Sequence, residues 1–227
     1  MNVISISENT VVILFEQVIE SDNFSIINHL VQRIKTDMDD VLIDIIPSYA
    51  SVHMTFNILK ISGLEFKHRL NQLLIADQNN SGRDDQSKVI EIPVYYGEEV
   101  ALDLHFIAQR AKMSENEVIE AHFSKVYDVY AIGFAPGFAY LGNVDESIST
   151  PRKETPRKKI ARGSLGIADQ QTAIYPSDSP GGWQIIGKTP IQLIDYNSKN
   201  LTQFSTGDKV KFNPISKTEY LSMGGVI

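Results

Sequence analysis

Residues 88–96, KVIEIPVYY, decide how the chain is partitioned. Val89, Glu91 and Pro93 alternate with Ile90, Ile92 and Val94, the period-two pattern of a strand with one buried face. Upstream, TVVILFE (10–16) is β-branched and apolar, and Ile26, Ile27, Leu30, Val31 and Ile34 recur at helical spacing over 25–36. VLIDIIPS (41–48) and SVHMTFNIL (51–59) read as a hairpin turning near Pro47 and Ser48, and Phe66, Leu70, Leu73 and Leu74 stripe a helix over 64–76. If the strand at 88–96 closes this series, the order is β-α-β-β-α-β. The alternative is that it bridges to the second half of the chain.

The segment before that strand, ADQNNSGRDDQSK (76–88), carries no apolar side chain larger than alanine, so it reads as a long exposed loop and a domain boundary. After Tyr96 the pattern changes. Leu104, Ile107, Ala108 and Ala111 give a helix over 103–113, and Ser114 with Glu117 forms a capping box that opens another helix through Ala121. From Val126 onward Gly and Pro interrupt short β-type runs, the texture of a small barrel or sandwich. The expectation is an α+β chain: a ferredoxin-like β-α-β-β-α-β domain over 1–87, its last strand being 88–96 if that strand belongs to it, and a β-barrel domain over 88–227.

Composition narrows the function classes. The 227 residues hold 21 Lys+Arg against 28 Asp+Glu, a net charge of -7, which argues against a nucleic-acid binder acting through global charge. With no cysteine, disulfides, thiolate metal sites and a cysteine nucleophile are excluded. No apolar stretch approaches the roughly 18 residues that span a bilayer, and MNVISISENTVVILF lacks a basic leader region, so a cytoplasmic protein without membrane contact is expected.

Three clusters could carry chemistry. Gly133 to Gly142, GFAPGFAYLG, is a shaped loop of glycines, a proline and three aromatics. TPRKETPRKKIAR (150–162) holds six Lys/Arg and one Glu, a net of +5 that leaves -12 for the rest of the chain. Its prolines, Pro151 and Pro156, each precede an arginine, Arg152 and Arg157, and pre-ordered guanidinium groups suit carboxylate or phosphate recognition. TAIYPSDSPGGWQIIGKTP (172–190) adds Gly181, Gly182 and the sole tryptophan, Trp183. Within it Gly182 to Thr189 matches G-x-x-x-x-G-K-[ST], yet its inner residues read as a strand, not as a phosphate-cradling loop before a helix. The five histidines show no metal-ligand spacing, and no metal site is expected; His122 is retained as a weak site candidate.

The strings GFAPGFAYLG, PRKETPR and GSLGIADQQTAIYPSDSPGGWQIIGKTP, with IPVYYGEEVALDL and the late TGDKVKF, resemble the family that holds the 5-oxoprolinase B subunit, allophanate hydrolase subunit 1 and the kinase inhibitor KipI. The resemblance implies an N-terminal ferredoxin-like domain followed by a cyclophilin-like β-barrel. It also implies a protein that works with an allophanate hydrolase subunit 2-type partner (the C subunit) and a third oxoprolinase subunit to open 5-oxoproline to glutamate with ATP and Mg2+, inactive by itself. In the inhibitor branch the family binds the phosphotransfer helices of a sensor histidine kinase. In urea carboxylases a related domain belongs to the carboxyl-transfer half. The family usually has small or proline residues where Ala161 and Arg162 stand, and often glycine at Asp169 and Ala173. On this reading Arg152 and Arg157 clamp a small anion, Pro136, Gly137 and Phe138 wall the pocket, and Gln171, Tyr175, Gly181, Gly182 and Trp183 line its other side; the catalytic groups are unassigned.

Overall fold

A computed structural model describes residues 1–16, 21–77, 88–198 and 201–227, and the chain separates into two compact units, Met1–Gln86 and Ser87–Ile227. Residues 78–87, most of the expected linker, lie outside the described residues.

In the first unit a hairpin of β1 (Asn2–Ser5) and β2 (Thr10–Leu14) leads to α1 (Ser21–Asp37), a second hairpin of β3 (Leu42–Ser48) and β4 (Ser51–Phe56), and α2 (Gly63–Asp77). The sheet order is β1-β2-β4-β3, antiparallel throughout. Since β2 and β3 both run antiparallel to β4, they are parallel to each other across it, with α1 as the connection, which is the split β-α-β core of a ferredoxin-like domain. Alternation along β4 buries Val52, Met54 and Phe56. These meet the α1 stripe of Ile27, Leu30, Val31 and Ile34 and the α2 stripe of Phe66, Leu70 and Leu73 in one core, where the Phe56 and Phe66 rings stack at 4.4 Å.

The strand at 88–96 does not close this domain. The edge beside β2 is taken by β1, and β5 (Val89–Val94) pairs instead in the second unit, parallel to β13 (Lys209–Pro214), with Val89 opposite Lys209 and Val94 opposite Pro214. The physical reason is local: a two-strand hairpin forms with little loop-closure entropy, so β1 reaches that edge before a strand separated from it by two helices.

The second unit holds α3 (Leu104–Ala111), α4 (Glu115–Phe123), β6 (Val126–Ile132), β7 (Ala139–Gly142), β8 (Arg157–Ile160), β9 (Ser164–Ala168), β10 (Gln171–Ile174), β11 (Ser179–Gly181), β12 (Gln184–Lys188), β13 and a terminal α5 (Lys217–Ser222). Seven strands form a sheet in the order β12-β9-β10-β7-β6-β13-β5. Its two ends meet where Tyr95 N–H donates to the Lys188 carbonyl at 2.9 Å and Lys188 N–H to the Tyr95 carbonyl at 2.8 Å, which nearly closes the barrel. Ile90, Ile92, Val94, Val129, Leu141, Leu165, Ile167, Val210 and Phe212 point inward, and α3 and α4 cap the same core with Leu104, Ile107 and Val118. The helix expected after Ser114 has its capping box, and a second box, Ser216 with Glu219, opens α5. Among the described residues no helix is long and apolar enough to cross a membrane.

Candidate functional site

The basic segment is held by one buried carboxylate. Asp103, immediately before α3 and 4% exposed, accepts from Arg157 Nη1 and Nη2 at 2.8 Å each, from Lys153 Nζ at 3.0 Å and from the Ile185 N–H at 2.7 Å, while its own N–H donates to the Ile185 carbonyl at 2.8 Å. Burial pushes its carboxyl pKa up, but the bonds from Arg157, Ile185 and Lys153 together hold it below the usual carboxylate range. This pairing crosses about fifty residues of sequence, so neither spacing nor charge pattern announces it; the sole local signal is an acidic side chain between Leu102 and Leu104, where the chain otherwise turns apolar.

Further bonds fasten the same segment. Lys153 N–H donates to the Gly182 carbonyl at 2.7 Å, Gln184 Nε2 donates to the Pro151 carbonyl at 2.9 Å, and β8 pairs with β11. Arg152 is left exposed, its Cζ 5.8 Å from the centre of the Trp183 ring, a cation-π contact.

The rings expected to wall a pocket are buried against one another. Phe138 and Tyr175 are 1% exposed and Trp183 5%, and with Ile160, Ala168, Ala173 and Ile185 they form a small core of their own. Phe138 sits at its centre, edge-on to Trp183 (5.6 Å, 90°), Tyr175 (5.3 Å) and Tyr140 (4.9 Å). Burial pushes the Tyr175 phenol up to about 12, so it stays neutral. Gly181 is demanded by this packing, since a Cβ there would lie 2.3 Å from Tyr175 Oη and 2.8 Å from Ile160 Cδ1. What reaches solvent from the Gly133–Gly142 loop is Pro136 and Phe134; the latter is 63% exposed, holds a left-handed φ of 66° that a bulky residue seldom adopts, and meets Phe138 edge-on at 5.2 Å.

The structure thus brings Arg152, Phe138, Tyr175, Gly181, Gly182 and Trp183 together and packs Gly137 beside Ile194 and Pro176. Gln171 stands at the far end of β10, four residues and so about 13 Å of extended chain before Tyr175. Arg157 joins the group through its two bonds to Asp103, one from each terminal nitrogen. His122 belongs to the barrel core. Its Nδ1 lies 3.0 Å from Tyr96 Oη and its Nε2 3.0 Å from Thr172 Oγ1, whose hydroxyl donates onward to the Gly166 carbonyl. That direction makes Nε2 the protonated nitrogen and Nδ1 the acceptor, a neutral imidazole with both positions satisfied, and burial lowers its pKa to about 3.

Gly182 to Thr189 does not cradle phosphate: Gln184–Lys188 is barrel strand β12, and a Cβ on Gly187 would meet the Tyr95 carbonyl at 2.9 Å. Among the described residues no group of three or more His, Asp or Glu could hold a metal ion.

With this geometry in hand, comparison with known proteins is decisive. The family described as carboxyltransferase domain, subdomain C and D, matches residues 1–204. The chain belongs to this family. It is 35% identical over 209 residues to the 5-oxoprolinase B subunit of Escherichia coli O157:H7, covering 92% of this chain and 94% of that one. It is 47% identical over 133 residues to the 5-oxoprolinase B subunit of Bacillus subtilis, a match that spans 59% of this chain but little more than half, 55%, of that relative. Among solved structures, TTHA0988 superposes with a TM-score of 0.79 at 26% identity, over 92% of this chain and 40% of that one. The three sequence clusters are the segments that build the Phe138 core and the Asp103 anchor.

Proposed function

We propose that the chain is the B subunit of an ATP-dependent 5-oxoprolinase, which opens 5-oxoproline to glutamate together with a C-type subunit and a third protein, and which is inactive alone. The observation that carries this reading is the end-to-end similarity to the Escherichia coli subunit, over 92% of this chain and 94% of that relative. Arg152, exposed beside the Trp183 ring, is the group next to the aromatic core that meets a carboxylate in this reading, since Lys153 and Arg157 bond to Asp103. The exposed Phe134 and Pro136 stand on the loop that closes over the same aromatic core. The P-loop-like string is a barrel strand, so no ATP step is assigned to it.

A second reading, a carboxyl-transfer component of a urea carboxylase or allophanate-type system, is favoured by the name of the matching family. The test is reconstitution: the purified chain is mixed with the C-type and third subunits, and ATP hydrolysis is followed with 5-oxoproline, urea or allophanate. Glutamate formation that needs all components and 5-oxoproline supports the proposal. Turnover with urea or allophanate alone would replace it with the second reading, and inhibition of a sensor histidine kinase by the isolated chain would replace it with the regulator.

A further inference from the structure

On the barrel wall, away from the Phe138 core, a cavity of about 240 Å³ is bounded by the β8–β9 turn, the end of β12 and the segment after α5. Arg162, Asp178, Lys188, Tyr220 and Val226 supply its polar groups. An apolar cavity of about 150 Å³ holds a six-carbon ring, so this one has room for a molecule of about ten heavy atoms.

Its charges do not cancel internally. The Asp178 carboxylate is already answered, accepting from Lys159 Nζ at 2.8 Å and from the Arg162 backbone N–H at 2.8 Å. The Lys188 ammonium has three donors and gives one to the Val226 carbonyl at 2.7 Å, a neutral acceptor that Tyr220 Oη also contacts at 3.0 Å. The Arg162 side chain has no hydrogen-bond or carboxylate partner among the described residues. Two cations with free donors therefore line one cavity with a single carboxylate, Asp178, which also bonds to Lys159 outside it. They also sense each other, since burial first and then the Arg162 charge lower the Lys188 pKa against the opposing pull of Asp178. An anion that enters the cavity can take these free donors.

We infer that this cavity is a binding site for a small anion, a carboxylate or a phosphate, held by Lys188 and Arg162. The planar Arg162 fork can take two oxygens of one ligand, and the Lys188 ammonium supplies a point charge at the cavity wall. The strand geometry keeps Lys188 in place: β12 is bonded to β9 on one side and to Tyr95 on the other. The inference stands independently of the oxoprolinase reading, because it concerns binding by the isolated chain.

The experiment is a ¹H–¹⁵N titration of the full chain with inorganic phosphate and, separately, with 5-oxoproline, at constant ionic strength. The two probes separate a phosphate from a carboxylate source. At least one should shift the amides of Arg162, Gly163, Gly224 and Gly225 saturably, with Lys188→Met and Arg162→Ala each weakening binding roughly ten- to a hundredfold. Lys158→Ala, an exposed cation of the same basic segment, removes equal charge and should leave the affinity unchanged. Arg162 is exposed, so its variant folds whatever becomes of Lys188→Met. No saturable shift with either probe up to tens of millimolar, or equal affinity in Arg162→Ala and the parent chain, overturns the site.

Discussion

Asp103 and Arg157 form a two-point ion pair, Oδ2 to Nη1 and Oδ1 to Nη2 at 2.8 Å each, fifty-four residues apart in sequence. It couples the start of α3 to the strand that carries the basic segment, and the Asp103–Ile185 backbone bonds extend the coupling to β12. Removing one partner of a buried pair leaves an uncompensated charge, so Asp103→Ala should destabilise the second unit by about 3 kcal/mol or more. The double variant Asp103→Leu with Arg157→Leu should recover a large part of that loss. Urea unfolding followed by Trp183 emission measures both, since the sole tryptophan lies in this unit. Equal stability of Asp103→Ala and the parent would remove the pair from its anchoring role.

His122 sets an acid limit on the barrel. Its folded pKa, about 3, lies below the unfolded value of about 6.5, so the unfolded chain binds a proton that the folded chain refuses. The corresponding stability is complete above pH 6.5 and falls as the pH drops toward 3, at a rate approaching about 1.4 kcal/mol per pH unit. His122→Gln should start less stable at pH 7.5 yet lose less between pH 6.5 and 5. Parallel slopes of the two proteins over that interval would show that the imidazole does not titrate on unfolding.

Periodicity made the elements legible and pairing stayed hidden. The α1 and α2 stripes, the β3–β4 hairpin and the Ser114 capping box were readable because each signal is local. The partner of β5 was not, since Ile90, Ile92 and Val94 alternate identically whichever sheet they join, and the parallel neighbour β13 lies over a hundred residues on. The α5 capping box, Ser216-x-x-Glu219, was present in the sequence and could have been found. At the site, the aromatic clusters were visible as composition, but whether rings wall a pocket or fill a core depends on neighbours such as Ile160 and Ile185. The carboxylate that Arg157 meets was hidden for the same reason: Asp103 comes from a different part of the chain.

Gly181 tests how tightly the Phe138 core is filled. Ala at this position places a methyl 2.3 Å from Tyr175 Oη, so Gly181→Ala should cost about 1–3 kcal/mol in the same unfolding assay. Because the nearest clashing atom is the phenol oxygen, Tyr175→Phe in that background should restore part of the loss even though Tyr175→Phe by itself is destabilising. A Gly181→Ala protein of parent stability would mean that the core has slack beside Tyr175.

Arg152 separates binding from folding. It is exposed and contacts the ring of Trp183, so Arg152→Ala forfeits about 0.5–1 kcal/mol of cation-π attraction and leaves the barrel folded, with a shift in Trp183 emission as the direct sign of the lost contact. If its guanidinium meets the substrate carboxylate, turnover of the reconstituted complex should fall at least tenfold, mainly through KM. Arg152→Lys, which keeps the charge but loses the planar fork, should recover only part of it. Turnover equal to that of the parent, with the emission shift present, would place the carboxylate elsewhere and leave Arg152 as a cover for the aromatic core.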